Sequence, residues 1–259
     1  MQGFPMPHRW PAQLWIVRHG ESAGNVAREQ AMASGLTHID IADRDVDVAL
    51  SARGEQQATA LGQWFAEMPA DERPQVLLVS PYRRAQRTAE LIQAAGGMDP
   101  KAEGLVLDER LREKEFGVLD RLTTAGIAEF HPDQYEFRRL LGKFYHRPPA
   151  GESWCDVILR LRSAVDTMCL HHDGCRVLIV AHQVVVMCLR YLLENMTEEE
   201  ILAIDRSGDL ANCSVTEYRF DPDKGRHGAL ALHRYNFVAP MTEGGAPVTS
   251  EPDANVAAR

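Results

Sequence analysis

The stretch that decides the fold is residues 14–25, which read LWIVRHGESAGN. Its leading apolar residues predict a short buried strand, and Gly20 ends that strand with a turn. Arg18 and His19 therefore lie where the strand ends, which is where ligands bind in open α/β sheets. An arginine there offers donors for a phosphate or carboxylate, and a histidine offers a ring nitrogen that can attack or accept a proton. An Arg-His pair on its own is more often a solvated strand end than a functional site. Whether this pair is functional therefore depends on the residues that the rest of the chain places beside it.

The composition predicts one globular domain, with or without a cap. The chain has 259 residues, of which 45% are hydrophobic and 25% are charged, and it can bury one sizeable core. A formal net charge of -9 argues against a surface built for nucleic acid. It does not exclude an anionic small molecule, because a few local arginines can outweigh a distant negative field.

The cysteines and the apolar segments indicate a cytoplasmic protein. The five cysteines are odd in number and show no CxxC spacing, which favours reduced thiols. No apolar run of signal-peptide length is found near the start, and no segment approaches the roughly 18 apolar residues of a membrane span. Residues 1–11 and 240–259 are predicted to be disordered tails.

Strands and helices alternate along the chain, which is typical of an α/β fold. After the opening strand, the pattern predicts strands at 75–79, 105–107 and 177–180, helices at 51–68, 82–95, 153–170 and 183–195, and a hairpin over 213–220 and 229–237. Ser80 and Pro81 are predicted to cap and open the second helix. We therefore expect a three-layer sandwich with a mostly parallel sheet flanked by helices and an antiparallel edge strand. It is predicted as a single domain over 12–239 with a helical cap insertion at about 115–150.

Three predicted strands end in residues that could bind and attack an anion. One ends at Arg18 and His19, another ends at His182, and the third ends at Ser80, just before three arginines. If these strands are parallel neighbours, two imidazoles and at least two guanidiniums meet at one edge of the sheet. Such a pocket would bind an anion and hold a nucleophile against it.

Six short motifs in this chain occur in a fixed order over roughly residues 14–237. They are Arg18-His19-Gly20-Glu21 with Asn25, Leu50-Ser51-x-x-Gly54-x-x-Gln57-Ala58, Ser80-x-x-x-Arg84-Ala85-x-x-Thr88-Ala89, Leu111-Arg112-Glu113-x-x-x-Gly117, Gly151-Glu152-Ser153 and Val180-Ala181-His182. In residues, spacing and order, these motifs resemble the histidine phosphatase superfamily, the phosphoglycerate-mutase-like proteins.

The resemblance implies a role for each residue of the pocket. His19 would be the nucleophile that forms a phosphohistidine, with its other ring nitrogen held by a backbone carbonyl. Arg18, Arg84 and His182 would hold the phosphoryl oxygens, and Asn25 would add a neutral donor to the same group.

Glu113 would give a proton to the leaving oxygen and then activate water. Two neighbours in the same run of charges, Glu109 and Glu115, could be confused with it, and the run itself is typical of a solvated loop. The family's spacing of a glutamate four residues before Gly117 selects Glu113.

Two further assignments rest on the same resemblance. Side chains of Arg83 and Arg84 point about 100° apart on a helix, so only one can face the pocket, and the family's arginine before Ala85 selects Arg84. His182 is followed here by Gln183, a pair that resembles the bisphosphatase half of the fructose-2,6-bisphosphate-metabolising enzymes. Gln183 either contacts substrate or simply begins the next helix.

The superfamily divides into phosphatases and mutases, and the sequence favours a phosphatase for small phosphate monoesters. Residues 195–202 look like those of a mutase, and a mutase would use 2,3-bisphosphoglycerate as its cofactor. Against this, Arg138 and Arg139 lack the proline-rich continuation of the glycolytic mutases. Residues 142–148 and 212–216 resemble phosphatase-like members instead.

Other classes of function are less favoured. A catalytically weak phosphate-binding protein is a second alternative, although His19, Glu113 and His182 are intact. A metal hydrolase is disfavoured because the chain has no HExxH motif or cysteine cluster. We expect a phosphorylated metabolite as the partner, no metal or other cofactor, no nucleic acid or membrane partner, and possible homodimers. Arg138, Arg139, Lys143 and Arg147 either bind a second anionic group of the substrate or solvate the cap.

Overall fold

The computed structural model describes residues 10–102, 104–225 and 227–250, which build a six-stranded sheet with helices on both faces. The strands are β1 (Gln13–Arg18), β2 (Val76–Val79), β3 (Leu105–Leu107), β4 (Arg176–Ala181), β5 (Val215–Asp221) and β6 (Ala229–Phe237). Their order across the sheet is β3-β2-β4-β1-β5-β6. The first four of these are mutually parallel and the last two are antiparallel, which confirms the predicted sheet.

The helices cover the sheet on two sides. They are α1 (Ala23–Ala33), α2 (Ala52–Ala66), α3 (Arg83–Ala94), α4 (Thr124–Phe130), α5 (Pro132–Tyr145), α6 (Trp154–His171), α7 (Gln183–Leu193), α8 (Glu198–Ser207) and α9 (Ala239–Glu243). In β1, Leu14 and Ile16 pack with α6 and α7, whereas Trp15 and Val17 pack on the opposite face with α2, α3 and α9. Since β1 is buried on both faces, it reads as a continuous apolar run rather than an alternating one.

Between β3 and α6 the chain leaves the sheet and forms a small helical cap. The cap consists of the 3₁₀ turn Gly117–Leu119, α4 and α5, and Leu119 packs there with Leu122 and Ile127. Its backbone is joined to the loop between α1 and α2, because Ile39 N donates to Arg121 O at 2.8 Å. The cap and this loop therefore lie together, whereas the predicted bounds of the domain and of the cap stay predictions.

The prediction that Ser80 and Pro81 open α3 is wrong. The helix begins at Arg83, and its N-cap residue, Tyr82, makes no side-chain capping bond. The hydroxyl of Ser80 is instead hydrogen-bonded to His182 and accepts from Tyr82 N, so it is not available to the helix.

The prediction of a disordered tail is wrong for residues 240–250. Met241 of α9 is completely buried against α2, and further along the chain Ala246 and Thr249 are 9% and 7% exposed. At the other end, Trp10 and Pro11 also pack against the domain. The rest of both predicted tails, residues 1–9 and 251–259, lies outside the described residues.

Two other expectations can be compared with the structure. All five cysteines lie in the described part of the chain, and all are free thiols, as predicted. Among the described helices, none combines the length and apolar character needed to cross a membrane.

Candidate active site

Neighbouring strand ends bring the predicted residues to one edge of the sheet. Arg18, the last residue of β1, pairs in register with Ala181, the last residue of β4, and β2 runs parallel on the other side of β4. His19 and His182 therefore follow adjacent parallel strands, and their ring centroids lie 5.1 Å apart. Both side chains are completely buried.

The imidazole of His19 is held in one tautomer. Its Nδ1 lies 2.6 Å from the carbonyl oxygen of Gly20, and because a carbonyl can only accept, Nδ1 carries the proton. Nε2 therefore keeps its lone pair and accepts a hydrogen bond from Nε of Arg84 at 3.1 Å. This is the arrangement that a nucleophilic Nε2 requires.

The turn after β1 is packed too tightly for side chains at two glycines. A Cβ on Gly20 would lie 2.5 Å from the carbonyl oxygen of Gly54, and a Cβ on Gly54 would lie 2.0 Å from the carbonyl oxygen of Glu21. The start of α2 can therefore press against the backbone that carries His19 only because both positions are glycine.

Arg84, rather than Arg83, faces the pocket. Its side chain is 3% exposed, whereas Arg83 is exposed on the surface. Besides contacting His19, the guanidinium donates from Nη1 to Oδ1 of Asp45 at 2.9 Å and to the Asp45 carbonyl oxygen at 2.6 Å. Asp45 lies on the 3₁₀ turn Asp45–Asp47 between α1 and α2, so Arg84 links His19 to that loop.

Arg18 and His182 complete the basic lining. The buried guanidinium of Arg18 donates from Nη1 to the carbonyl oxygen of Leu210. His182 Nε2 lies 2.7 Å from Oγ of Ser80, and its ring packs against that of Tyr82 with centroids 5.0 Å apart. Burial raises the pKa of Tyr82 above its ordinary value, so its phenol stays protonated beside the pocket.

Glu113 is the buried member of its run of charges. Its side chain is 1% exposed, whereas Glu109 and Glu115 are exposed. Oε1 accepts a hydrogen bond from the backbone N–H of Lys114 at 2.7 Å, which fixes one oxygen of the carboxyl group. The charge of Glu113 also contributes to raising the pKa of Tyr82, so the two groups lie within electrostatic range.

The two predicted substrate-binding residues have structural partners. Asn25 forms a capping box at the start of α1, in which its Oδ1 accepts from Ser22 N at 2.9 Å and from Ser22 Oγ at 2.8 Å. Gln183 begins α7, as one reading of the sequence expects, and its Nε2 donates to Oδ1 of Asp209 at 2.9 Å. Their contacts with substrate stay predictions.

A small cavity of about 50 Å³ lies beside Arg84 and Asn25. Its other charged lining residues are Asp43, Asp45, Asp120, Arg28 and Arg121. Burial raises the pKa of Asp120, and the charge of Asp45 raises it further. Three carboxylates therefore line this cavity together with Arg84.

The structure separates the four cap cations that the sequence singles out. Arg139 is paired with Glu136 at 2.9 Å, and Arg147 lies 3.5 Å from Asp156; both arginine side chains are 65% exposed. Lys143 and Arg138 instead lie inward on α5, near Lys114 and Asp205. Lys143 Nζ lies 2.7 Å from Oδ1 of Asp205.

Lys114 and Arg138 form a cationic pair next to Glu113. Lys114 is 5% exposed, and its Nζ lies 4.2 Å from the ring centroid of Phe116. Within residues 10–102, 104–225 and 227–250, neither Lys114 Nζ nor the Arg138 guanidinium makes a hydrogen bond or an ion pair. Burial lowers the pKa of Lys114 to about 8, and the charges of Arg138 and Lys143 lower it in the same direction. A buried lysine and a half-buried arginine that lack a hydrogen-bonded carboxylate favour binding of an anion.

Several residues that support the site carry no catalytic or binding role in the sequence-based prediction. Gln57, Ser80, Thr88 and Asn212 all occur in the quoted segments, and the structure places each in a hydrogen bond to the backbone of residues 19–21 or to His182. Their occurrence in these segments is the sequence feature that could have identified them as part of the site. Lys114 carried no such signal, because its burial depends on the fold of the cap.

Within the described ranges, no group of three or more His, Cys, Asp or Glu side chains is placed to hold a metal ion.

Comparison with known proteins agrees with this geometry. The sequence profile of the histidine phosphatase superfamily (branch 1) matches residues 14–232. A probable phosphoglycerate mutase GpmB of Erwinia tasmaniensis is 32% identical over 206 residues, covering 79% of this chain and 83% of that protein. Its counterpart in Yersinia enterocolitica is 29% identical over 214 residues, covering 81% and 86%.

Solved structures share the fold. Bacillus stearothermophilus YhfR superposes with a TM-score of 0.68 at 25% identity, covering 88% of this chain and 98% of that one. A mycobacterial glucosyl-3-phosphoglycerate phosphatase in complex with inorganic phosphate superposes with a TM-score of 0.64 at 23% identity, covering 88% and 99%, which is a likeness of fold. Because the family profile matches the chain from β1 into β6, the chain belongs to the histidine phosphatase superfamily.

Proposed function

We propose that this protein is a phosphatase that hydrolyses small phosphate monoesters through a phosphohistidine on His19. The observation that carries the proposal is the orientation of the His19 ring. Its Nδ1 is tied to Gly20 O, so Nε2 keeps its lone pair, with Nε of Arg84 at 3.1 Å and the ring of His182 beside it. A positioned nucleophile in a basic pocket is what phosphoryl transfer requires.

The reaction would proceed in two steps. In the first, Nε2 of His19 attacks phosphorus, the N–P bond forms, and the ester P–O bond breaks while protonated Glu113 gives its proton to the leaving oxygen. Arg18, Arg84 and His182 hold the phosphoryl oxygens, with the Arg84 donor moving from Nε2 to one of them. In the second step the Glu113 carboxylate takes a proton from water, the water oxygen bonds to phosphorus, and the P–N bond breaks.

A phosphoglycerate mutase is the second candidate, because the curated relatives carry that name. A mutase that uses 2,3-bisphosphoglycerate has to hold two dianionic phosphoryl groups in one site. Three of the cap cations, Arg139, Lys143 and Arg147, already lie against carboxylates, and the cavity beside Arg84 is bordered by more. Both features reduce the positive charge available to a second phosphoryl dianion, and they leave Lys114 and Arg138 to bind a smaller anionic group such as a carboxylate.

The choice between the two is tested with a panel of sugar phosphates, phosphoglycerates, nucleotides and aryl phosphates. We expect steady release of inorganic phosphate from several of them without added 2,3-bisphosphoglycerate. Absence of release, together with interconversion of 2- and 3-phosphoglycerate stimulated by 2,3-bisphosphoglycerate, would assign a mutase instead.

We infer that the preferred substrate carries a second anionic group that binds Lys114 and Arg138. Lys114→Met and Arg138→Gln should each raise KM about 10- to 100-fold for a phosphate ester that bears a carboxylate, since a charge-assisted hydrogen bond is lost. KM for phenyl phosphate should stay nearly unchanged. Arg139→Gln is the matched control, because its partner is Glu136 on the surface. The assignment would be contradicted if Lys114→Met and Arg138→Gln raised KM equally for the carboxylate-bearing ester and for phenyl phosphate. It would also be contradicted if Arg139→Gln raised KM as much as Arg138→Gln.

The affinity for such a substrate should depend on pH. The pKa of Lys114 is lowered to about 8, so the ammonium is charged below that pH and loses its proton above it. KM for the carboxylate-bearing ester should therefore rise as the pH increases through about 8, and Lys114→Met should remove this rise. Steady-state kinetics from pH 6 to 10, with phenyl phosphate as the reference, measure it. If the rise of KM with pH persisted in Lys114→Met, the pH dependence would belong to another group.

The proposal includes no metal or other cofactor, since arginine and histidine donors supply the positive charge. Full activity in excess chelator is expected. A cytoplasmic location and a homodimer stay predictions.

A further inference from the structure

The C-terminal segment of the described chain packs against the elements that hold the backbone of residues 19–21. Met241 of α9 is buried under α2, and a Cβ on Gly244 would lie 2.7 Å from the Cβ of Ala60. The chain then runs through residues 246–250 between α2 and the loop before β5, where Thr249 is 7% exposed.

The hydroxyl of Thr249 joins two buried amide side chains. Its Oγ1 accepts from Nε2 of Gln57 at 2.8 Å and donates to Oδ1 of Asn212 at 3.0 Å. Two hydrogen bonds to backbone carbonyl oxygens support the same contacts: Gln57 Nε2 also donates to Pro247 O at 2.8 Å, and Asn212 N donates to Thr249 O at 2.8 Å. Gln57 and Asn212 are both completely buried.

The opposite ends of these two amides hold the backbone around the nucleophile. Oε1 of Gln57 accepts from the N–H of Glu21 at 2.8 Å, and Nδ2 of Asn212 donates to the carbonyl oxygen of His19 at 3.1 Å. The carbonyl between them, Gly20 O, accepts from Nδ1 of His19. The backbone on both sides of the group that sets the His19 tautomer is therefore fixed by Gln57 and Asn212.

A hydroxyl between two amides decides which way each amide faces. Gln57 turns its oxygen to Glu21 because its NH₂ is engaged by Thr249 and Pro247. Asn212 turns its NH₂ to His19 because its oxygen accepts the hydroxyl proton of Thr249. A flipped amide at either position would set like groups against each other, donor against N–H or acceptor against carbonyl.

We propose that Thr249 is a positioning residue for catalysis: through Gln57 and Asn212 it fixes the backbone of residues 19–21, and with it the direction of His19 Nε2. The proposal rests on the proposed function, because it gives the segment a role in phosphohistidine formation. It does not place Thr249 in contact with the substrate.

The test compares Thr249→Val, Thr249→Ala and Thr249→Ser with Thr242→Val in the full chain. Valine keeps the shape of threonine and removes the hydroxyl, alanine removes it without adding bulk, and serine restores it. Thr242, on α9, is the matched control because its hydroxyl is exposed and bonds Ala239 O within its own helix. The measurements are kcat, KM, inhibition by inorganic phosphate, and the rate of phosphoenzyme formation in a single turnover.

Thr249→Val and Thr249→Ala should lower kcat and the rate of phosphoenzyme formation about 10- to 100-fold, because a misdirected nucleophile loses near-attack geometry. KM and inhibition by inorganic phosphate should change less than about threefold, since the guanidinium donors stay in place. Thr249→Ser and Thr242→Val should match the wild type. Circular dichroism and the thermal midpoint show whether each variant is folded.

Wild-type rates in folded Thr249→Val and Thr249→Ala would overturn the proposal, as would a parallel loss of phosphate binding or a failure of serine to restore activity. If the wild type itself forms no phosphoenzyme, the proposed function fails instead. The two failures are therefore distinguishable.

Discussion

Replacing His19 with alanine is expected to lower kcat/KM by at least about 10⁴-fold for every phosphate ester that the wild type hydrolyses. The alanine variant lacks the atom that bonds to phosphorus, and the remaining donors can only bind the phosphoryl group. The loss should appear mainly in kcat, because Arg18 and His182 have partners of their own, Leu210 O and Ser80 Oγ, that the substitution leaves in place. Continuous assay of released inorganic phosphate measures it.

The matched control is His38→Ala. His38 is exposed and stacks near Phe130 on the cap, so its loss should leave kcat/KM close to the wild-type value. A His19→Ala enzyme that keeps a tenth of wild-type activity would show that another group, or water directly, attacks phosphorus.

The second large effect is expected for Glu113→Gln, and it should depend on the leaving group. The glutamine keeps an oxygen for the N–H of Lys114 but cannot donate the proton that an alkoxide leaving group needs. For alkyl phosphates kcat/KM should fall about 10²- to 10⁴-fold, the range typical of general acid catalysis. For p-nitrophenyl phosphate, whose leaving group needs little protonation, kcat/KM should fall much less.

The second step gives a further readout for the same variant. Without the carboxylate to activate water, the phosphoenzyme should accumulate, and p-nitrophenol should appear as a burst followed by slow turnover. Glu115→Gln is the control, because its side chain is exposed. An equal loss of kcat/KM for alkyl and aryl esters would assign Glu113 an electrostatic role instead of proton transfer.

The sequence predicted the sheet and the meeting of its functional strand ends for a physical reason. β1 and β4 are buried on both faces, so each is a continuous apolar run, and such runs are readable without an alignment. Residues that follow parallel neighbours lie at the same edge, so the sequence predicts that His19 and His182 lie together, and their ring centroids are 5.1 Å apart.

The supporting contacts could not be predicted in the same way, because they depend on long-range packing. Serine is a residue type favoured at helix N-caps, yet the hydroxyl of Ser80 lies 2.7 Å from Nε2 of His182, 102 residues further along the chain. Residues 240–250 have the composition of a disordered tail, yet Thr249 is fixed by partners 37 and 192 residues away. Local pattern contains no information on partners at such distances.

The cap illustrates a third limit. Arg138 and Arg139 are adjacent in sequence and equal in charge, and only the direction of α5 places Arg138 near Lys114 and Arg139 beside Glu136. The sequence alone therefore left open whether these arginines bind substrate or solvate the surface.

The most direct test of the central claim is to trap the covalent intermediate. Wild-type enzyme is mixed with a ³²P-labelled substrate for milliseconds, quenched in denaturant at alkaline pH, and the protein-bound label is measured together with its stability in acid. We predict a stoichiometric phosphoprotein that is stable to alkali, labile to acid, mapped to His19 and absent from His19→Ala. Steady hydrolysis by the wild type with no protein-bound label, or with a label that survives in His19→Ala, would contradict the account.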